Sequence, residues 1–432
     1  MTILSVGTGQ AYSTIAAAIA ASQDGDTVQV QAGTYVNDFA TINTRILIQS
    51  VGGMANLVAT TPPPDGKAYF TTNTDVSLDH LAFSGVRVAD QNGSGIRYQG
   101  SNLTVTNCYF HDNQEGILGN PGVAGTGTIV IKNSEFARNG AGDGYSHNLY
   151  IGHVAKLIID NSYFHDAVVG HEIKSRAEAT TITNSRIQNG PNGTASYGID
   201  LPNGGVGVIQ NNIIHKGPNA QNSAIIAYGE EGGPRTNSSL TVTGNTILND
   251  LNSASAAAVW NAAGVRATVT GNAIYGLQAG QIVRGAAATP GNTILSAEPA
   301  LVTTSPWAGA SSIVPIMPAT PFPLGAYLGN PDNSSVANEV TYEAKYSAFI
   351  RNMGAAPQFL TTFVDQRQAV AQWAGNSQFF ADSAAASADA RNQTPVIALP
   401  LNSTALGVVR VVLAGLSAWT LAGLGASIWL FS

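Results

Sequence analysis

From Leu103 onward, short stretches alternate apolar and polar residues and then reach an Asn or Gly. They are LTVTNCYFHD at Leu103, IVIKNSEFAR at Ile129, LIIDNSYFHD at Leu157, TTITNSRIQN at Thr180, GVIQNNIIHK at Gly207, LTVTGNTILN at Leu240 and ATVTGNAIYG at Ala267. A period of two, with β-branched residues before the Asn, predicts a strand in each copy whose alternate side chains enter a core. The anchors Asn107, Asn133, Asn161, Asn184, Asn211, Gly244 and Gly271 are separated by 26, 28, 23, 27, 33 and 27 residues, and VSLDHLAFSG at Val76 extends the series back through His80. Such a period without helical patterning predicts a solenoid. Three residues past the anchors stand Phe83, Phe110, Phe136, Phe164, Ile187, Ile214, Ile247 and Ile274, read as an inward stack. Each strand then finds its partner in the next coil, parallel and roughly 4.8 Å away. The expected fold is all-β, a right-handed parallel β-helix.

The anchor Asn tolerates left-handed backbone angles, and its side chain is expected to form a polar ladder with its copies in neighbouring coils. Near the start, Ser13 is a good N-cap, and Ile15, Ala18, Ile19 and Ser22 share one face, which predicts a short amphipathic helix over 13–22. That helix caps the open end, because a bare terminal coil would show its core and its unpaired strand edge to water. TVQVQAGTYV then starts the first coil, and residues 1–300 are assigned to the β-helix.

After it the repeat stops, and Pro306, Pro315, Pro318, Pro321 and Pro323 mark residues 301–325 as a linker. Over 326–402, QFLTTFVD reads as a strand, QRQAVAQWAGNSQFFADSA as an amphipathic helix and TPVIALPL as a second strand, a small α/β unit. Residues 403–432 form an apolar tail in which Val411 to Phe431 carries no charge, long enough to cross a bilayer as a helix.

The opening YSTIAAAIAASQDGDTVQVQAGTYV, together with the repeats, resembles the pectate-lyase-like superfamily of β-helix proteins over about residues 1–295. Within it SHNLYIG, GHEIKSRA, ASYGIDLPNGG and AYGEEG resemble a bacterial subfamily of right-handed β-helix repeat proteins with no assigned activity. The resemblance implies the fold more than a function. It also implies an extracellular or cell-surface setting, although MTILSVGTGQ has neither the basic start nor the apolar stretch of a signal peptide. The α/β unit is similar in spacing to the first unit of a mannanase-like glycoside hydrolase barrel. A whole barrel needs roughly 200 residues or more, so no hydrolase activity is assigned to it. On that likeness the tail from Leu406 replaces the remaining barrel, which fits a truncated frame as well as a membrane anchor.

Composition narrows the partners. Only 10% of residues are charged, the formal net charge is −7, and the 19 Lys and Arg form no basic cluster, which excludes nucleic acid. The single Cys108 excludes an internal disulfide and Cys-based zinc sites. A monomer is expected, and a polysaccharide is the expected partner, because outward side chains of successive coils line up in columns that suit a linear polymer.

Against this sparse background the run His171-Glu172-Ile173-Lys174-Ser175-Arg176 stands out. With Ile173 inward, the period of two puts Glu172, Lys174 and Arg176 outward. Aligning neighbouring coils sets His147 and Tyr197 with His171, Asn148 with Glu172, and Tyr150 and Asp200 with Lys174. Elimination from a uronate needs a cation or donor for the carboxylate, a base for the C5 proton and an acid for the leaving oxygen. Arg176 or Asn148 can neutralise, Lys174 or a histidine can be the base, and Tyr150 can be the acid. Glu172, Tyr197, Asp200 and Glu230 complete the set as substrate-binding residues. Neighbouring carboxylates keep a Lys charged, which moves the base role toward His147 and His171. GHEIKSRA is also similar to the Lys-bearing strand of chondroitinase-type and alginate-type lyases, a likeness that implies Lys174 as base.

The alternative for the same row is an exposed salt-bridge network worth about 0–1 kcal/mol per pair. A non-catalytic glycan binder using Tyr150, Tyr197 and Tyr228 is a second alternative. A glycoside hydrolase is a third, with a carboxylate pair drawn from Glu172, Asp200, Glu230 and Glu231. The repeated His111-Asp112 and His165-Asp166 are separated by a coil with Ala137-Arg138, so a shared metal site is not expected, and neither metal nor cofactor is indicated.

Overall fold

The computed structural model describes residues 2–120 and 122–305, and beyond them the strand pair Val396–Ile397 and Ser427–Ile428. Through the described part of the first unit, Met1–Met317, the chain is a right-handed parallel β-helix. Each coil contributes three strands, and each strand pairs with its copies above and below. The first face holds strands such as Thr126–Lys132, Val154–Asp160 and Ala179–Thr183. The second holds Glu135–Ala137, Tyr163–His165 and Arg186–Gln188, and the third Leu149–Ile151, Ile173–Ser175 and Ile199–Leu201. The long strand Ile46–Val58 joins the first two faces into one sheet of 21 strands, and the third face is a separate sheet of 10.

The predicted apolar stack is the core. Phe83, Phe110, Phe136 and Phe164 lie in register, with ring centroids 4.8, 4.7 and 4.6 Å apart and rings nearly parallel. Ile187, Ile214, Ile247 and Ile274 continue the column fully buried. Gly95 and Gly116 face these rings across the core: a Cβ on either would sit 2.8 Å from Phe110 Cδ1 or Phe136 Cδ1 respectively.

The anchors take the left-handed conformation, from φ 46° at Asn161 to 57° at Asn211, with His80, Gly244 and Gly271 in the same region. Their side chains, however, do not form the continuous ladder. Asn161 bonds Asn133, while Asn107 and Asn184 turn to Asp79 and Asp160. The ladder runs one residue later. Each backbone N–H from Cys108 through Ser134, Ser162, Ser185, Asn212 and Asn245 donates to the side-chain oxygen of its copy in the next coil, at 2.9 to 3.2 Å. The turn directs the anchor side chain outward and the following residue inward, where a buried N–H must find an acceptor.

At the N-terminal end the helix spans Ile15–Ala21, with Thr14 rather than Ser13 as its cap. Asp38 from the neighbouring coil adds acceptors for the N–H groups of Ile15 and Ala16, which shifts the start by one residue. Ile15, Ala18 and Ile19 are buried as expected. Ile3–Val6 already pairs with Thr27–Val30, so the first coil begins before the helix and not at TVQVQAGTYV.

At the other end, residues 302–305 fold back onto the second face. Arg186 Nη1 donates to Val302 O at 2.7 Å, and Ser305 Oγ donates to Glu135. The rest of the expected linker, the 326–402 unit and the tail lie outside the described residues, apart from the parallel pair of Val396–Ile397 with Ser427–Ile428. Ser427 and Ile428 are strand, where the apolar tail predicts helix. Among the described residues no helix is long and apolar enough to cross a membrane.

Candidate active site

The third face presents an outward column in which Leu118, Tyr150, Lys174, Asp200, Ala227 and Trp260 are consecutive register partners. The expected alignment of Tyr150, Lys174 and Asp200 is thus present. His147 and His171 stack at 4.6 Å, with Tyr197 tilted over His171 at 5.1 Å, so that column is present too.

What differs is solvent. The row was expected on a solvated flank, yet Lys174 is 2% exposed, Arg176 2% and Asp200 0%. The cover comes from Gly229–Arg235, which follows the strand Ala224–Tyr228 two coils on. Glu231 in this loop reaches back to Lys174 Nζ at 2.8 Å and Arg176 Nη1 at 2.5 Å. Its amide donates to Pro202 O, and Arg235 ties the loop's end to Glu178 at 2.7 Å. Glu231 is therefore a central member of the cluster that repeat alignment does not select. Its signal in the sequence is the 33-residue step from Asn211 to Gly244, the longest in the series, which marks an insertion carrying Glu230-Glu231-Gly-Gly.

Asn148 and Glu172 leave the outer face. Asn113 and Asn139 cap Phe83 O and Phe110 O at the turn between the second and third faces. Asn148 continues that buried ladder by accepting from Asn139 Nδ2 at 2.8 Å and donating to Glu172 Oε2. Glu172 Oε1 takes the amide of Ala167. Burial and the nearby Asp166 push the Glu172 carboxyl up to about 8. The predicted pairing of Asn148 with Glu172 exists, but it closes a corner and leaves neither side chain free for a ligand. Tyr228, read as an outward aromatic, is likewise turned inward, with its hydroxyl donating to Gly205 O at 2.6 Å.

The charges within the cluster balance. Burial alone would discharge Lys174, but Asp200 at 3.0 Å and Glu231 outweigh it and hold the ammonium protonated. Arg176 is held likewise against burial by Tyr150, whose hydroxyl accepts from Nε at 3.0 Å, and by Glu231. Glu231 in turn stays ionised against burial through Lys174 and Arg176. Glu230 behaves oppositely: burial and the neighbouring Asp200 raise its carboxyl well above the usual range. Glu230 Oε2 is buried without a hydrogen-bond donor, whereas Asp200 Oδ2 lies 3.0 Å from Lys174 Nζ and 3.3 Å from His171 Nε2. Asp200, Glu230 and Glu231, three of the four carboxylates from which the hydrolase alternative draws its pair, bring their oxygens within 4.8 Å of one another. The ammonium of Lys174 and the guanidinium of Arg176 already pair with Asp200 and Glu231 of that trio.

Both histidines are fixed in one tautomer. His147 Nδ1 accepts the His171 amide at 2.9 Å, and His171 Nδ1 accepts the Tyr197 amide at 3.2 Å. A backbone N–H can only donate, so each ring carries its proton on Nε2. His171 Nε2 points at Asp200 Oδ2, 3.3 Å away. Burial, and for His171 then His147 and Lys174, keeps both rings neutral. The nitrogen left over on each is thus a donor and not the base that the sequence suggests.

The second face carries its own titratable pair. His165 donates from Nδ1 to Asp166 at 2.9 Å and from Nε2 to Glu135 at 3.0 Å, while His111 pairs with Asp112 two coils away. No site is shared between the two His-Asp pairs. Against burial, the two carboxylates raise His165 to about 9, above its ordinary 6.5. A raised value means that the stabilisation is complete below pH 6.5 and is lost as pH rises through 9. In urea unfolding, the stability difference between the wild type and His165→Gln should therefore shrink by about 2–3 kcal/mol between pH 6 and pH 9.5. A difference independent of pH would show that the ring is neutral in the fold.

Residues 122–294 match the family model described as the right handed beta helix region. No curated protein matches the chain in sequence. Among solved structures the chain is similar to pectate lyase Pel9A, with 15% identity and a TM-score of 0.36 over 68% of this chain and 79% of that one. It is also similar to the PL6 family alginate lyase AlyGC, with 17% identity and a TM-score of 0.34 over 68% of this chain and 40% of that one. These are likenesses of fold.

Proposed function

We propose that the protein cleaves an acidic polysaccharide by β-elimination on the outer side of the third face. The observation that carries this reading is the convergence of Asp200 and Glu230, whose oxygens lie within 4.8 Å of each other beside the ammonium of Lys174, with Arg176 held next to them through Glu231. Lys174 and Arg176 neutralise the uronate carboxylate, which acidifies the C5 proton. Asp200 takes that proton, the C4–O bond breaks as the C4=C5 bond forms, and Glu230 protonates the leaving oxygen. The proton then passes from Asp200 to Glu230 across their shared bond, and the pair returns to its starting state. Acceptor and donor lie side by side, which suits substrates whose C5 proton and C4 oxygen leave from the same face. Tyr150, fixed by Arg176, and Tyr197 flank the reacting sugar. His171, as a donor at Nε2, positions Asp200.

Hydrolysis by the same two carboxyls is the second reading. Retaining glycosidases hold their carboxyls about 5–5.5 Å apart and inverting ones farther, whereas the Asp200 and Glu230 oxygens lie within 4.8 Å of each other, so elimination fits better. The non-catalytic binder loses the outward aromatic Tyr228 on which it partly rested.

The test is incubation of the purified protein with polymers of galacturonate, guluronate, mannuronate and glucuronate, reading both ultraviolet absorbance of unsaturated ends and new reducing ends. Elimination yields both signals, and Glu230→Gln removes both. Reducing ends without absorbance would replace elimination by hydrolysis. Retention on a uronate gel with neither signal would leave a binder.

A further inference from the structure

In the cluster on the third face one carboxylate has no part in the proton transfer proposed above. Glu231 reaches 57 residues along the chain to sit on Lys174 Nζ, and its other oxygen rests on Arg176 Nη1. It holds both cations at once, as the carboxylate of a bound uronate would. We propose that Glu231 is a built-in occupant of the carboxylate subsite formed by Lys174 and Arg176, and that a carboxylated sugar binds by displacing it. This rests on the reading of the third face as a site for acidic glycans.

Three observations support the displacement. First, the guanidinium is only partly used: Arg176 Nε donates to Tyr150, and Nη1 serves both Asn203 at 2.7 Å and Glu231, while Nη2 is buried with no hydrogen-bond partner. A ligand carboxylate can engage the guanidinium through two nitrogens and satisfy the one that Glu231 leaves bare. Second, the chain beside Glu231 is built to give way. Gly232 and Gly233 follow it with φ of 76° and 58° and open space around both. Beyond them Arg235 is anchored by Glu178, by Arg176 O and by His153, and the Glu231 amide by Pro202 O, so the Glu231 side chain can swing away while the loop stays docked. Third, electrostatics makes the exchange selective. Withdrawal of Glu231 strips a counter-charge from two buried cations, which only an incoming anion restores. A neutral sugar cannot open the subsite, so Glu231 acts as a specificity filter as well as a cover.

The experiment compares equilibrium binding of uronate trimers and of cellotriose to the full-length wild type and to Glu231→Gln, which keeps the shape but weakens the internal competitor. The expected result is uronate binding at least about tenfold tighter in the variant, with cellotriose unchanged. Uronate binding that is equal or weaker in the variant overturns the proposal. As a second arm, Glu231→Ala leaves the subsite unoccupied, and galacturonate or acetate should raise its melting temperature by several degrees more than that of the wild type, with glucose inert. Equal shifts in the two proteins overturn the proposal as well. Because binding and melting are read without turnover, tighter uronate binding in a protein that never releases unsaturated product would sustain the displaced carboxylate while rejecting elimination.

Discussion

Lys174→Met is expected to remove detectable cleavage of uronate polymers and to lower stability by about 3–5 kcal/mol. The side chain is 2% exposed and stands between Asp200 at 3.0 Å and Glu231 at 2.8 Å. With Glu230 protonated, the wild-type cluster sets Lys174 and Arg176 against Asp200 and Glu231, so its charge is zero. Methionine keeps the length of the chain but leaves one buried negative charge uncompensated, and the cost of removing one partner of such a pair far exceeds the value of an exposed salt bridge. The two effects separate in the double variant Lys174→Met with Asp200→Asn, which is neutral again. It should regain most of the stability in urea unfolding while remaining without product, because both the cation and the proton acceptor are gone. A cost below about 1 kcal/mol for the single variant would mean that the network is solvated and that the site as described does not exist.

Phe136→Ala should cost about 3–5 kcal/mol without touching the charged cluster. Its ring lies between those of Phe110 at 4.7 Å and Phe164 at 4.6 Å. The backbone on either side is held by parallel strand pairing, Tyr109–His111 below and Tyr163–His165 above, so the coils cannot move together to fill the space. The penalty should therefore fall near the top of the range for a lost aromatic side chain, with a lower urea midpoint at unchanged slope. Ile187→Val in the same column removes one methylene and should cost only about 1 kcal/mol. A loss below 2 kcal/mol for Phe136→Ala would show that the solenoid compresses along its axis.

The difference between these two positions mirrors what each level of description can see. Phe136 is legible in the sequence because its environment repeats: the residue three places past each anchor meets its own copy above and below, and the period alone predicts the contact. The same logic carried the column of Tyr150, Lys174 and Asp200 and the stack of His147, His171 and Tyr197, since one coil per repeat makes alignment equivalent to pairing. It failed for the anchor ladder by a single residue, because the left-handed turn at Asn133 and Asn161 exchanges which neighbour faces inward.

Burial was not legible. Charged residues at outward positions of a strand read as solvated, and nothing in GHEIKSRA says that a loop from two coils away will cover them. Nor does periodicity say that Glu172 will turn into a corner with Asn148, or that the amides of His171 and Tyr197 will occupy Nδ1 of the histidines one coil before them.

The sequence by itself determined the solenoid, its core and the side-chain register of its faces, because pairing of like with like repeats along one axis and leaves its period in the chain. The tertiary structure alone decided which of the outward groups are charged, neutral or covered. Those properties depend on where irregular loops come to rest across the faces, and a loop inserted once, as at Glu230 and Glu231, leaves no period to read.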